Sequence, residues 1–204
     1  MTAGTAGECL TLDSWRRKEQ WILAQEEAFA DAVGRAILTR PQVSWWMIVL
    51  PILFVPFLFR MERFKRDLRQ FREQFLISRR RALETAASAA RGNQLPDLEA
   101  LVAQAGLSST LVGSYRAWMT VLVQQYLDLL AADGEGYLGL ARAAYGGRAN
   151  YLLAANQLDT VENTFYAALT RAMAKDDGEL AETVAAISRA AIRLRRQLAE
   201  RLFP

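Results

Sequence analysis

Histidine is absent from the 204 residues, and cysteine occurs once, as Cys9. A single cysteine excludes an intramolecular disulfide, so no covalent staple is expected. The usual zinc, haem and iron–sulfur ligand sets need several Cys or His and are excluded with it. The Glu-x-x-His pairs of helical dimetal sites are excluded as well. Acid–base chemistry would have to come from a carboxylate, a lysine or a tyrosine. Lysine itself is scarce, with only Lys18, Lys65 and Lys175, and the remaining 22 basic residues are arginine. Proline (5) and glycine (12) are few enough to act as punctuation between long segments. No period-two strand pattern, P-loop or nucleophile elbow is present.

What remains is a chain dominated by Ala, Leu, Arg, Glu and Gln, all helix formers. It predicts an all-α protein in four parts. Residues 1–42 form a leader and an amphipathic helix, 43–59 a membrane segment, 60–91 a basic amphipathic stalk helix, and 92–204 a C-terminal helical bundle. The net charge of +3 hides an asymmetry between these parts. Residues 1–42 carry −1, residues 60–91 carry +6, and residues 92–204 carry −2.

The membrane segment is the one long apolar run, VSWWMIVLPILFVPFLF, 17 residues without a charge. As a helix it would rise roughly 25 Å, against a hydrocarbon core of about 30 Å. Trp45 and Trp46 suit the headgroup level, and Pro51, Pro56, Phe57 and Phe59 complete the anchor. It starts too far into the chain for a secretory signal, and a basic stretch follows it where a cleavage site should be. The basic residues after it, including Arg60, Arg63, Lys65, Arg66, Arg69 and Arg72, favour an anionic headgroup surface. By the positive-inside rule a spanning segment would put the bundle in the cytoplasm and the N-terminus outside. The two prolines leave a re-entrant hairpin with both flanks on one side as an alternative. A helix buried in a protein core is a third.

Residues 12–39 read as one helix ended by Arg40-Pro41, with Leu12, Trp15, Ile22, Phe29, Val33 and Ile37 near one face. Downstream, Phe57, Met61, Phe64, Leu68, Phe71 and Phe75 recur at heptad spacing. This coiled-coil-like seam is expected to pack antiparallel against the 12–39 helix or against the bundle, with packing along an anionic lipid surface and self-association as the alternatives. Beyond Gly92, glycine and proline signals divide the chain into helices near 96–105, 108–132, 137–145, 149–174 and 179–202. Leu111, Tyr115, Trp118, Leu122, Leu129, Leu153, Phe165, Leu169, Val184, Ile187 and Leu194 are the expected core.

Other patterns lose their force in context. Gly134, Gly136 and Gly139 match the letters of a dinucleotide fingerprint, but YLDLLAAD before them is helical, so a helix–helix turn is expected. Acidic groups at 97/99, 133/135 and 176/177/179 fall at helix ends, where caps and dipoles account for them. Arg79-Arg80-Arg81 and Arg193/Arg195/Arg196 could grip phosphates. They read more simply as the end of the basic flank and as a basic helix C-terminus.

The order Trp45-Trp46-Met-Ile-Val-Leu-Pro-Ile-Leu-Phe-Val55, Arg60, Phe64-Lys65 and Ser78-Arg-Arg-Arg-Ala-Leu83 resembles a group of uncharacterised bacterial membrane-associated helical proteins. These pair a proline-containing apolar segment with a basic helix, and the likeness covers about residues 15–85. It implies a bacterial membrane-associated protein and carries no activity; the location expected of the chain is the bacterial inner membrane, with the C-terminal bundle in the cytoplasm.

The sequence therefore predicts a non-catalytic, membrane-anchored helical scaffold or accessory subunit of a larger membrane-associated assembly. The alternatives are a lipid-surface or membrane-shaping protein, and an enzyme using a carboxylate or tyrosine on a membrane-delivered substrate. Membrane lipids and a protein partner or second copy are the expected partners. No cofactor, metal or nucleic acid is expected.

Overall fold

The computed structural model describes residues 4–38, 54–173 and 178–204. Among these residues the protein is all-α, with seven helices. They are α1 (Gly4–Ile37), α2 (Phe54–Gly92), α3 (Leu98–Ala103), α4 (Ser109–Ala131), α5 (Gly136–Tyr145), α6 (Arg148–Met173) and α7 (Gly178–Leu202). Among the described residues no helix is long and apolar enough to cross a membrane.

The breaks fall where the local chemistry puts them. Asn93 adopts a left-handed conformation (φ 48°) just past the end of α2, and the Asp97 carboxylate caps α3 by accepting from the Ala100 N–H at 2.9 Å. Gly134 lies in the turn between α4 and α5, and Gly136 and Gly139 belong to the first turn of α5. A Cβ on Gly134 would collide with the Gly139 backbone, and Gly136 has φ +67°. Glycine is required here for close backbone approach, and no strand precedes it to make a nucleotide loop.

Five long helices close into a ring. α1 packs on α2, α2 on α4, α4 on α6, α6 on α7, and α7 back on α1. α1 and α2 run antiparallel, as ion pairs of steadily opposed numbering show. Arg91 meets Glu19, Arg80 meets Glu27 at 2.8 Å, Arg79 meets Glu26 at 3.0 Å and Arg72 meets Asp31 at 3.6 Å. α7 also runs antiparallel to α1, because Phe29 lies against Arg195 while Val33, further along α1, packs with Ala190 and Ala191. The far end of the ring is closed by α5. There the Lys18 ammonium donates to the Leu130 carbonyl at 3.1 Å and Arg142 to the Leu202 carbonyl at 2.7 Å.

One main core runs through the ring. It contains Ile22 from α1, Ala82, Leu83, Ala86 and Ala87 from α2, and Tyr115, Trp118, Leu122, Leu158, Phe165 and Leu198 from the later helices. Trp118 stacks on Phe165 with centroids 5.2 Å apart. From Ala82 onward α2 contributes buried wall to the same core as the helices of residues 92–204. Leu153, expected in the core, is 70% exposed. Tyr151, Ala155, Leu158, Glu162 and Phe165 form the buried stripe of α6, and Leu153 lies about 200° round the helix from Tyr151.

Candidate functional site

The interior between α1, α2, α6 and α7 is charged. Arg79 and Glu162 are each 2% exposed, Arg195 is 6% and Asp159 9%. The Arg79 guanidinium donates to Glu26 Oε2 at 3.0 Å and to Glu162 Oε1 at 2.7 Å. Arg195 donates to the other oxygen of Glu162 at 2.6 Å and to Asp159. The Tyr166 hydroxyl adds a longer bond to Glu162 Oε1 at 3.3 Å. Phe29 lies against both cations, with its ring centre 5.5 Å from the Arg79 guanidinium carbon and 5.2 Å from that of Arg195, and Phe75 lies 4.8 Å from Arg79. Such cation–π contacts replace part of the hydration that burial removes.

Helix phase explains the convergence. Arg79 follows Phe75 by four residues and precedes Ala82 and Ala86 on the apolar stripe of α2. Arg195 sits between Ala191 and Leu198, and Glu162 between Leu158 and Phe165. Each charge therefore faces inward because its apolar neighbours do.

The electrostatics fit a locked network. Burial pushes the Glu162 carboxyl up, but Arg195 and Arg79 outweigh it and hold it below the ordinary range. Burial opposes the charge on Arg79, yet Glu26 and Glu162 raise it above the usual arginine value. Arg195 is raised by Glu162 and Asp159 against burial and the repulsion of Arg79. Its partner Asp159 moves the other way for an ion-paired acid: burial lifts it in spite of Arg195. The direct guanidinium–carboxylate contact shows the two as an ion pair, and the lift is the desolvation cost of placing it there.

A small cavity of about 50 Å³ adjoins this network, lined in part by Glu26, Arg79, Arg195, Tyr126, Tyr137 and Tyr151. That is room for a few waters or a very small polar molecule. Among the described residues, Arg79 Nε, Tyr126 Oη and Trp118 Nε1 are buried without a hydrogen-bond partner of ordinary geometry. The phenols are held protonated. Burial, then the Glu26 carboxylate, pushes Tyr126 well up, and burial pushes Tyr151 up to about 12. Neither phenol nor Glu162 is poised to exchange protons near neutrality. What the network does chemically is tie four helices together.

The residues singled out by sequence lie elsewhere. Trp45, Trp46 and Pro51 fall outside the described residues, and Pro56, Phe57 and Phe59 belong to the first two turns of α2. Arg60, Arg63 and Lys65, with Met61 and Phe64, continue α2. Arg66 and Arg69 are exposed, while Arg72 faces Asp31. Leu68 and Phe71 lie against α1, where a Cβ on Gly34 would come within 2.6 Å of Leu68 Cδ1 and 2.9 Å of Phe71 Cδ1. Phe71 stacks on Phe75 at 5.5 Å, and Phe75 meets Phe29 of α1 at 6.1 Å.

The two arginine clusters depart from the simple reading. Arg79 is buried in the network, Arg80 pairs with Glu27, and Arg81 reaches the Gln104 carbonyl at 3.4 Å. Arg195 is buried as well, so neither triplet forms a free phosphate-gripping surface. Among the described residues no group of three or more Cys, Asp or Glu side chains could hold a metal ion.

Comparison with protein-family models, with curated proteins and with solved structures gives no match.

Proposed function

We propose that the protein is a non-catalytic helical scaffold, or an accessory subunit of a larger assembly, held at a bacterial membrane by residues 43–59. The observation that carries this reading is where the most apolar stretch of the chain falls. In sequence it begins beyond α1 and runs into the first turns of α2, directly before the basic residues that start at Arg60. A 17-residue uncharged run is costly to expose to water and is satisfied by lipid. The buried charges support the non-catalytic half of the proposal, because the most deeply buried carboxylate, Glu162, has both oxygens engaged by arginine.

On this reading the action is positional: the segment fixes the bundle at the bilayer, and the outer faces of the helices are offered to a partner. The experiment is purification of the tagged full chain from native membranes in gentle detergent, with identification of what accompanies it. A stoichiometric second protein identifies an accessory subunit. A homogeneous assembly of the chain itself identifies a scaffold. A chain recovered wholly from the soluble fraction overturns the proposal.

A further inference from the structure

The cavity beside the ion network draws its wall from α1, α2, α4, α5, α6 and α7. Its surface is mixed. Leu129, Ala155 and Leu158 supply apolar area, while Glu26, Arg79 and Tyr126 supply polar atoms.

Two of those polar atoms, Arg79 Nε and Tyr126 Oη, are buried without a hydrogen-bond partner of ordinary geometry. Both residues are 2% exposed. Each atom is a donor: a guanidinium keeps its protons, and burial with the neighbouring Glu26 carboxylate holds the Tyr126 phenol protonated. A buried donor left unpaired is costly, so native interiors supply an acceptor. Glu26 adds the opposite capacity. It gives Oε2 to Arg79 and has Oε1 to offer a further donor. The wall thus asks for an acceptor oxygen and an N–H or O–H on one molecule.

Size and charge narrow the class. The cavity volume of about 50 Å³ holds about four non-hydrogen atoms, since one water needs about 10–15 Å³ by the same measure. A nucleotide or coenzyme is too large, because such ligands occupy pockets of roughly 300–1,000 Å³. The charges of the wall are already matched. Arg79 faces Glu26 and Glu162, and Arg195 faces Glu162 and Asp159. A further ion of either sign would be desolvated beside a like charge. Recognition therefore falls to hydrogen bonds and to a short apolar contact.

We infer that this cavity is a binding site for a small uncharged primary amide. The carbonyl oxygen has two lone pairs and accepts from Arg79 Nε–H and Tyr126 O–H. The amide N–H donates to Glu26 Oε1, and the alkyl end rests on Leu129, Ala155 and Leu158. Both donors and the acceptor are answered by one planar group, which neither a ketone nor a hydrocarbon achieves. The proposal goes beyond the scaffold reading and does not depend on how the chain is held at a membrane.

The probe is acetamide, titrated into the full chain in detergent carrying isotope-labelled tyrosine rings. Acetate and acetamidinium, which share its shape and carry one charge of either sign, are the controls. Acetamide is expected to shift the Tyr126 and Tyr151 ring signals saturably, and the two ions are not. Tyr126→Phe removes one donor and should weaken binding about fivefold, with the urea midpoint kept. Ala155→Leu fills the cavity and should abolish binding. No saturable shift up to about 100 mM acetamide overturns the proposal and leaves the cavity to water. Equal binding of either ion overturns the uncharged class. Binding that is unchanged in Tyr126→Phe overturns the site.

Discussion

Arg79 and Arg195 hold the two oxygens of a single buried carboxylate, Glu162, from different helices, at 2.7 and 2.6 Å. The three residues lie on α2, α7 and α6, and Glu26 brings in α1 through Arg79. A network of two cations and three carboxylates at the centre of a small helical ring is expensive to desolvate. It joins side chains at set positions on four helices, so sliding any one of these helices along its axis breaks at least one charged hydrogen bond.

Removing the shared carboxylate should therefore be severe. Glu162→Gln leaves two buried guanidinium groups without their common anion, and a loss of about 3–5 kcal/mol is expected. The surface pair Arg80–Glu27, nearly half exposed on both sides, is the control: Glu27→Gln should cost less than about 1 kcal/mol. Urea unfolding followed by circular dichroism checks both. Equal effects of the two substitutions would refute a special role for the network.

The close approach at Gly34 makes a second prediction. Leu68 and Phe71 already occupy the space beside its Cα, so Gly34→Leu should overpack the α1–α2 contact and cost about 1–3 kcal/mol. Adding Leu68→Ala should recover part of the loss, because it empties the volume that the new side chain needs. Independent, additive effects in a double-mutant cycle would contradict direct contact at this point.

Much of this architecture is legible in the sequence, and the reason is punctuation. Gly92-Asn93, Gly106, Asp133-Gly134 and Gly146-Gly147 divide the described chain into helices. The phase of Phe71 and Phe75 places them against a neighbouring helix. The buried network is much harder to read. Arg79 stands among Arg80 and Arg81, and Arg195 between Arg193 and Arg196, so local composition makes each one of a solvated cluster. Phase sets Arg195 apart, four residues from buried Ala191 and Ala199, but Arg79 and Arg80 both lie within four residues of buried Leu76 and Leu83, so phase alone does not separate that pair. Which carboxylate they share is set by contacts 33 and 83 residues away in the chain, and no local pattern encodes that. Leu153 misleads for the converse reason, being a large apolar residue on the solvent side of α6.

Acid should weaken the fold through Glu162. Its folded value lies below the ordinary 4.5, so the folded state binds fewer protons than the unfolded chain in this range. Its contribution is present in full above that value and is lost as pH falls through the folded one. Asp159, raised by burial, acts in the opposite sense: its burial penalty is relieved as it protonates. Stability measured from pH 7 downward should fall below about pH 4.5 in the parent, more steeply in Asp159→Asn, and less steeply in Glu162→Gln. A parent and a Glu162→Gln variant with the same acid limb would contradict this assignment.

At the alkaline end the tyrosines take over. Tyr126, Tyr137, Tyr145, Tyr151 and Tyr166 are all raised above the ordinary 10, chiefly by burial. The unfolded chain therefore releases these protons first, and stability should drop as pH rises above 10, with Tyr151 ionising in the folded protein only near 12. Ultraviolet titration should show most of the phenolate signal appearing together with unfolding. Smooth ionisation of all six tyrosines near the ordinary value, with the helices intact, would contradict the burial described.

The central claim, that residues 43–59 hold the bundle at a lipid surface, is tested most directly by vesicle flotation. The full chain and a Leu50→Asp/Leu53→Asp variant are mixed with lipid vesicles and floated through a density step at low and high salt. The account predicts that the parent floats at both salt concentrations, since apolar insertion is insensitive to screening. The variant should stay at the bottom with its helical content and urea midpoint unchanged. A parent chain that fails to float, or a variant that floats as well as the parent, would contradict it.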